Sequence, residues 1–248
     1  MMTHLTSCLM LLVMQAQLAG AQTGNLPNVN NIVDRMLATL HENKAHLRAF
    51  TVKRNYQLLD KQSQPKAELV ADITYRPPAQ SQYRVERSTG GLGEKVLRDI
   101  LAKETETAKD SQHRELSRDS YDFQFLREET LEGSRCYVLA ITPKREDKEL
   151  VRGQVWVDAQ NYKIHRLEGK PVKSPSWWLR DSSVVMNFAE VHGMWLRTST
   201  QAVANLRFNG RYVMVSRDVE YHAPGATEVH KTEARKNHAS LAGAAIGR

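Results

Sequence analysis

The sequence predicts a mainly β protein with helices (α+β), an antiparallel meander bent into a barrel or half-barrel. Three observations lead there. From Phe50 to Tyr221, apolar residues recur largely with period two, in runs closed by Gly, Pro, Asn or Asp. Most of the turns between runs are short, which forces antiparallel neighbours, and the C-terminal half has no crossover long enough for a parallel pair. One helix ahead of the first strand carries an apolar stripe that must be buried. A meander of this kind hides its apolar face by bending, and the concave side is the available place for the stripe.

The chain has 248 residues, with 35 Lys and Arg against 28 Asp and Glu, a formal charge of +7, 41% hydrophobic and 25% charged residues. That composition is globular, neither disordered nor collagenous, and the length suits one domain. Only the N-terminal stretch is apolar enough to enter a bilayer, so a polytopic membrane protein is excluded. Leu5 to Ala19 is largely apolar, carries no acid or base, and ends in Ala19-Gly20-Ala21. This pattern reads as a secretory signal over residues 1–21, cut after Ala21. It is short for a membrane span. Leu5-Thr6-Ser7-Cys8 has the look of a lipoprotein attachment box, but the apolar run follows the Cys instead of preceding it. After cleavage Cys136 is the one remaining cysteine, so no internal disulfide forms. An exported, disulfide-free protein points to a bacterial periplasm or exterior.

The elements follow in order. Asn30 or Asn31 can cap a helix starting at Ile32, with Ile32, Val33, Met36, Leu37, Leu40, Ala45 and Leu47 along its stripe. Val52 to Leu58 is strand-like and Lys61 to Pro65 turns. Leu69, Ala71, Ile73 and Tyr75 alternate with polar neighbours, Pro77-Pro78 ends that run, and Tyr83, Val85 and Arg87 form the next. A second helix carries Val96, Leu97, Ile100 and Leu101. Lys103 to Arg118 is a solvated helix end and loop. Strands then run over Tyr121–Arg127, Arg135–Thr142, Leu150–Val157, Tyr162–Glu168, Trp178–Phe188, Met194–Phe208 and Arg211–Tyr221. Asn209-Gly210 is the strongest hairpin signal. The expectation is eight or nine strands in one domain over residues 22–222, followed by a disordered tail over 223–248, rich in small residues.

Catalytic motifs are absent from the sequence. It has no G-x-S-x-G, no phosphate-binding Gly loop, no H-E-x-x-H and no C-x-x-C. The nine histidines scatter over different elements and read as surface and rim residues. Cys136 lies in a strand that is apolar on both faces, the setting of a small core residue. The expectation is a protein that is not an enzyme and takes no cofactor and no metal.

The aromatics say more. Trp156 falls out of phase with Val155 and Val157, and Trp195 with Met194 and Leu196. Trp178 opens a long strand on which Val184, Met186 and Phe188 share one side. Large apolar groups on both faces mean that each face is partly covered or that an apolar cavity exists. A helix filling the inner face, with the tryptophans capping the ends, is the other arrangement, and the two-sided pattern favours a cavity. Trp156, Trp178, Met186, Phe188, Trp195 and Leu196 are the candidate lining residues, though strand parity does not say which side is concave. The basic residues are dispersed, without the aromatic interleaving of a nucleic-acid site. A solvated surface, anionic lipid head groups or an acidic partner are the readings left for the charge.

Several of these passages resemble a known group. Phe123-Gln124-Phe125-Leu126, Leu131-Glu132-Gly133, Cys136-Tyr137-Val138-Leu139 and Thr142-Pro143-Lys144 are similar to the periplasmic outer-membrane lipoprotein-sorting (LolA-like) superfamily. So are Gly153-Gln154-Val155-Trp156-Val157-Asp158, Tyr162-Lys163-Ile164, Arg166-Leu167-Glu168 and the turn His192-Gly193-Met194-Trp195-Leu196. The resemblance covers roughly Asn30 to Tyr221. It implies an incomplete antiparallel barrel with helices as a lid over an apolar cavity, and no catalytic residues. Its best-known members carry lipoprotein acyl chains across the periplasm, and others sense envelope stress or bind other lipids. The function it implies is binding of lipid or lipoprotein acyl chains, with peripheral membrane contact. The alternative is an envelope protein-interaction or stress-sensor module on the same fold. The carrier members hold the lid shut with an arginine, and no position of this sequence is matched to it.

Overall fold

In the computed structural model, the described residues are 28–78, 80–107, 115–147, 149–173, 179–207 and 210–222. The expected signal segment, the expected tail, Trp178 and Asn209 lie outside them.

The chain opens with α1 (Val29–Ala45). Its cap is Asn28, whose side chain accepts a hydrogen bond from the Asn30 N–H, so the helix starts three residues before Ile32. Three short antiparallel strands follow: β1 (Phe50–Leu59), β2 (Pro65–Arg76) and β3 (Gln80–Ser88). The second helix, α2 (Gly91–Thr107), ends inside the stretch expected as a solvated helix end and loop, but Thr105 there is buried and bonds back to the Leu101 and Ala102 carbonyls. Seven strands complete the order: β4 (Tyr121–Leu131), β5 (Ser134–Pro143), β6 (Val151–Asp158), β7 (Ile164–Pro171), β8 (Leu179–Val191), β9 (Met194–Leu206) and β10 (Gly210–His222).

All ten strands belong to one antiparallel sheet, in the order β3-β2-β1-β10-β9-β8-β7-β6-β5-β4. The expected eight or nine strands become ten because every period-two run pairs, including the short β7, which pairs with both β6 and β8. β3 and β4 are the two edges, so the sheet is not closed, and α2 is the connection between them. The first and last strands, β1 and β10, pair in the interior of the sheet. Two hairpins make the tightest turns. Glu132 and Gly133 join β4 to β5, and His192 and Gly193 join β8 to β9, all four at positive φ. That is the backbone sign a two-residue turn needs to match the strand twist.

Two apolar cores sit on one face. Ile32, Val33 and Met36 of α1 pack with Tyr121, Leu139, Ile141, Leu150, Val155, Val157 and Ile164. Leu97 and Leu101 of α2 pack with Val52, Tyr56, Leu69, Ala71, Ile73 and Met214. The strand register shows that both helices lie on the same side. Met214 pairs with Ala202, Ala202 with Val184, Val184 with Gly169, Gly169 with Gly153, and Gly153 with Ile141. Directly paired residues face the same way, so a residue under α2 and a residue under α1 end one continuous row. The opposite face carries a smaller cluster of Cys136, Val138 and Trp156.

Candidate functional site

The transverse row just traced is the starting point. Its ends are bulky: Leu58 beside Met214 on one side, Ile141 beside Phe123 on the other. Its middle is Ala202, Val184, Gly169 and Gly153. The next row in register runs Tyr56, Ser216, Thr200, Met186, Leu167, Val155 and Leu139. Between the helices the sheet therefore presents small side chains, a few small polar groups and one flexible methionine. Leu167 and Phe188 pack against the α1 core, and Ala202 against the α2 core. Val184 and Met186 belong to neither and are half-buried. A band of small residues therefore lies between the two filled cores and forms a half-buried apolar floor there.

The glycines of that floor are there for backbone proximity. A Cβ on Gly153 would lie 1.8 Å from the Glu168 carbonyl oxygen, and one on Gly169 would lie 2.5 Å from that of Arg152. Adjacent strands approach closely only without side chains at this pair.

One side of this floor is polar. Arg54 sits in phase with Val52, Tyr56 and Leu58, and is 9% exposed. Its guanidinium makes a two-pronged ion pair with Asp218 of β10. It also donates from Nη1 to Glu104 Oε2 of α2 at 3.1 Å. The Tyr56 hydroxyl donates to the same oxygen at 2.9 Å, and Arg197 Nη2 of β9 lies 3.3 Å from it. Four elements meet at this cluster, which ties α2 to the sheet. Burial opposes the charge on Glu104, but Arg197 and Arg54 outweigh it and hold the carboxyl below its ordinary range. Burial likewise opposes charge on Arg54, and the bond to Asp218 more than restores it. Burial, with Glu104 alongside, keeps the Tyr56 phenol protonated.

The α1 side is fixed differently. The Asn43 side-chain amide accepts from the Trp195 N–H and donates to the Trp195 carbonyl, both at 2.9 Å, so one side chain joins α1 to the start of β9. The Trp195 indole donates to the Ile164 carbonyl at 2.7 Å, with the Lys163 ammonium 4.9 Å from its ring centre.

The structure brings together Met186 and Phe188, two positions apart on β8, and sets Trp195 and Leu196 at the start of β9 near the end of α1. Trp156 pairs with Val138 and Arg166 on the face opposite the helices, with the Arg127 and Arg166 guanidiniums 5.9 and 5.7 Å from its ring. Cys136 is fully buried on that same face, and burial pushes its thiol up to about 11. Among the described residues, no three His, Cys, Asp or Glu side chains gather as metal ligands. None of their helices is long and apolar enough to cross a membrane.

The sequence did not point to Arg54, Glu104, Arg197 and Asp218 as a group, since they lie far apart along the chain. The one local signal was Arg54 standing in phase with three apolar-bodied residues of β1.

Comparison with known proteins adds the family. A family model described as "Uncharacterized protein" matches residues 103–234, more than half of the chain. The chain belongs to that family. Among curated proteins none matches. A DUF1329 family protein from Desulfovibrio piger is similar at 15% identity, with 86% of this chain and 98% of that one covered and a TM-score of 0.44. A putative outer membrane lipoprotein-sorting protein domain from Vibrio parahaemolyticus is similar at 13% identity, covering 79% and 95%, with a TM-score of 0.41. A LolA superfamily protein from Nitrosomonas europaea is similar at 14% identity, covering 84% and 97%, with a TM-score of 0.38.

Proposed function

We propose that this protein is an exported envelope protein that binds an acyl chain of a lipid or lipoprotein in the groove between α1 and α2. The observation that carries the reading is the band of Gly153, Gly169, Val184, Ala202 and Met186. It leaves apolar floor half-covered between two cores that are otherwise filled. An acyl chain is the complement of such a surface: it is narrow, flexible and apolar along its length. Each methylene buried contributes about 0.8 kcal/mol, so affinity needs no reaction chemistry. Met186 and Phe188 line the floor in this reading and Trp195 stands at its rim, while Leu196, paired with Ala189 one position from the Phe188–Arg197 pair, points to the opposite face. Trp178 precedes β8 in sequence and lies outside the described residues. Trp156, on the other face, serves the small Cys136–Val138 cluster. The apolar N-terminal stretch, read from the sequence as a secretory signal, supports export to the periplasm or outside the cell, and an acyl-chain ligand goes with peripheral contact with a membrane.

Native mass spectrometry of the protein isolated from its own envelope tests this. The expected result is adduct mass matching co-purified lipid, displaced by excess detergent. Repeatedly lipid-free preparations, or a stoichiometric protein partner in place of lipid, would overturn it.

A further inference from the structure

We propose that Arg54, Arg197 and the Tyr56 hydroxyl form an anion site at the head of the groove, filled by Glu104 of α2 when no ligand is bound. The ligand is accordingly an anionic amphiphile: a long acyl chain ending in a carboxylate or phosphate group. The inference rests on the acyl-binding reading and names the head-group chemistry of that same site.

The geometry is specific. Three donors from two strands, Arg54 Nη1 at 3.1 Å, Tyr56 OH at 2.9 Å and Arg197 Nη2 at 3.3 Å, converge on one oxygen, Glu104 Oε2. The floor of the cluster, without α2, holds two guanidiniums and one carboxylate, Asp218, which is engaged by Arg54. Glu104 supplies the missing negative charge. The side chains of Arg54 and Asp218 are 11% and 1% exposed, so little water is on hand to replace it. Lifting α2 to admit a chain would leave an unpaired positive charge in a poorly hydrated place, which is strongly unfavourable. An anion carried in by the ligand removes that obstacle. Guanidiniums in pairs recognise carboxylate and phosphate oxygens in the same way.

The anion site and the apolar floor are continuous. Arg197 pairs across strands with Phe188, and Tyr56 begins the row that runs through Ser216 and Thr200 to Met186. A second observation points to a polar ligand group there. Thr200 is 4% exposed and its buried hydroxyl oxygen has no hydrogen-bond partner. Arg197 is the most accessible member, its side chain 29% exposed, and so is the group a ligand meets first.

The test uses delipidated full-length protein and two matched pairs of ligands, each pair sharing its chain. Oleate against oleyl alcohol reads a carboxylate. Oleoyl-lysophosphatidylglycerol against monooleoylglycerol reads a phosphate. Binding is followed by displacement of a fluorescent fatty-acyl probe. The anionic member of at least one pair should bind roughly tenfold more tightly than its neutral counterpart, as a charge-assisted contact in a buried site implies. Arg197→Gln should abolish that preference while the neutral ligands still bind. Glu104→Gln, which removes the internal anion, should widen it. Equal binding of charged and neutral partners by the wild-type protein would overturn the anion site while leaving the acyl groove standing. Binding of none of the four would defeat both. If Arg197→Gln fails to fold by circular dichroism, the wild-type pairs decide alone.

Discussion

Along β1 the side chains that face the helices are Val52, Arg54, Tyr56 and Leu58, and the charged one is as covered as its neighbours. A guanidinium in that position persists because Asp218 and Glu104 surround it. Removing either partner exposes the cost of an uncompensated buried charge. Glu104 makes the consequence measurable. Its carboxyl is held below the ordinary 4.5, against burial, by Arg197 and Arg54. A carboxyl whose folded-state value is depressed contributes stability above its unfolded value, and that contribution fades as pH falls through the depressed value. Glu104→Gln should therefore be less stable than wild type at pH 7, by about 1–3 kcal/mol. The gap should close as the pH drops below 4.5. Thermal melts of both proteins from pH 7 to pH 3 check this, and a gap that stays constant would remove Glu104 from the account.

At the scale of elements, the β6–β7 pairing depends on two facing glycines. Gly153 and Gly169 are directly opposed, and any side chain at position 153 collides with the carbonyl of Glu168. The colliding atom is backbone, so it has no rotamer to retreat into. Gly153→Ala should separate these strands and lower stability by about 1–3 kcal/mol or more. Amide exchange is expected to rise first at β6 and β7, whose register passes under α1, and unchanged protection there would count against the close approach. The sequence showed β6 and β7 as strands by alternation. It did not show why glycine stands at both positions, because the contact exists only between paired strands. The early start of α1 had a similar origin. The sequence pointed to Asn30 or Asn31 as the cap, and the structure uses Asn28, an Asn of the same polar entry.

The molecule as a whole is one sheet carrying two cores. α1 stands over β4 to β7 and α2 over β1 to β3, and no buried residue is shared between the two clusters. Met36 is fully buried in the first and Leu97 in the second. Truncating either to alanine should cost about 2–5 kcal/mol. Because the sites share no partner, the double variant should show the sum to within about 0.5 kcal/mol. Denaturant unfolding of the two single variants and the double variant measures this. A large coupling term would mean that the helices touch across the groove and that the floor between them is plugged. The same experiment thus bears on the binding proposal.

Much of this architecture was legible in the sequence, because alternation, turn residues and helical stripes are local signals. They specified the strand runs, the antiparallel neighbours, both helices and the superfamily resemblance. Trp156, out of phase with its neighbours, packs with Cys136 and Val138 on the face opposite the helices. Tertiary structure alone decided three things: which face the helices share, where along the row the side chains shrink, and that Arg54, Glu104, Arg197 and Asp218 meet. Each of these depends on pairing between strands distant in the chain, above all β1 with β10. A local pattern fixes the parity of a strand but carries no information about the residue that lies across from it.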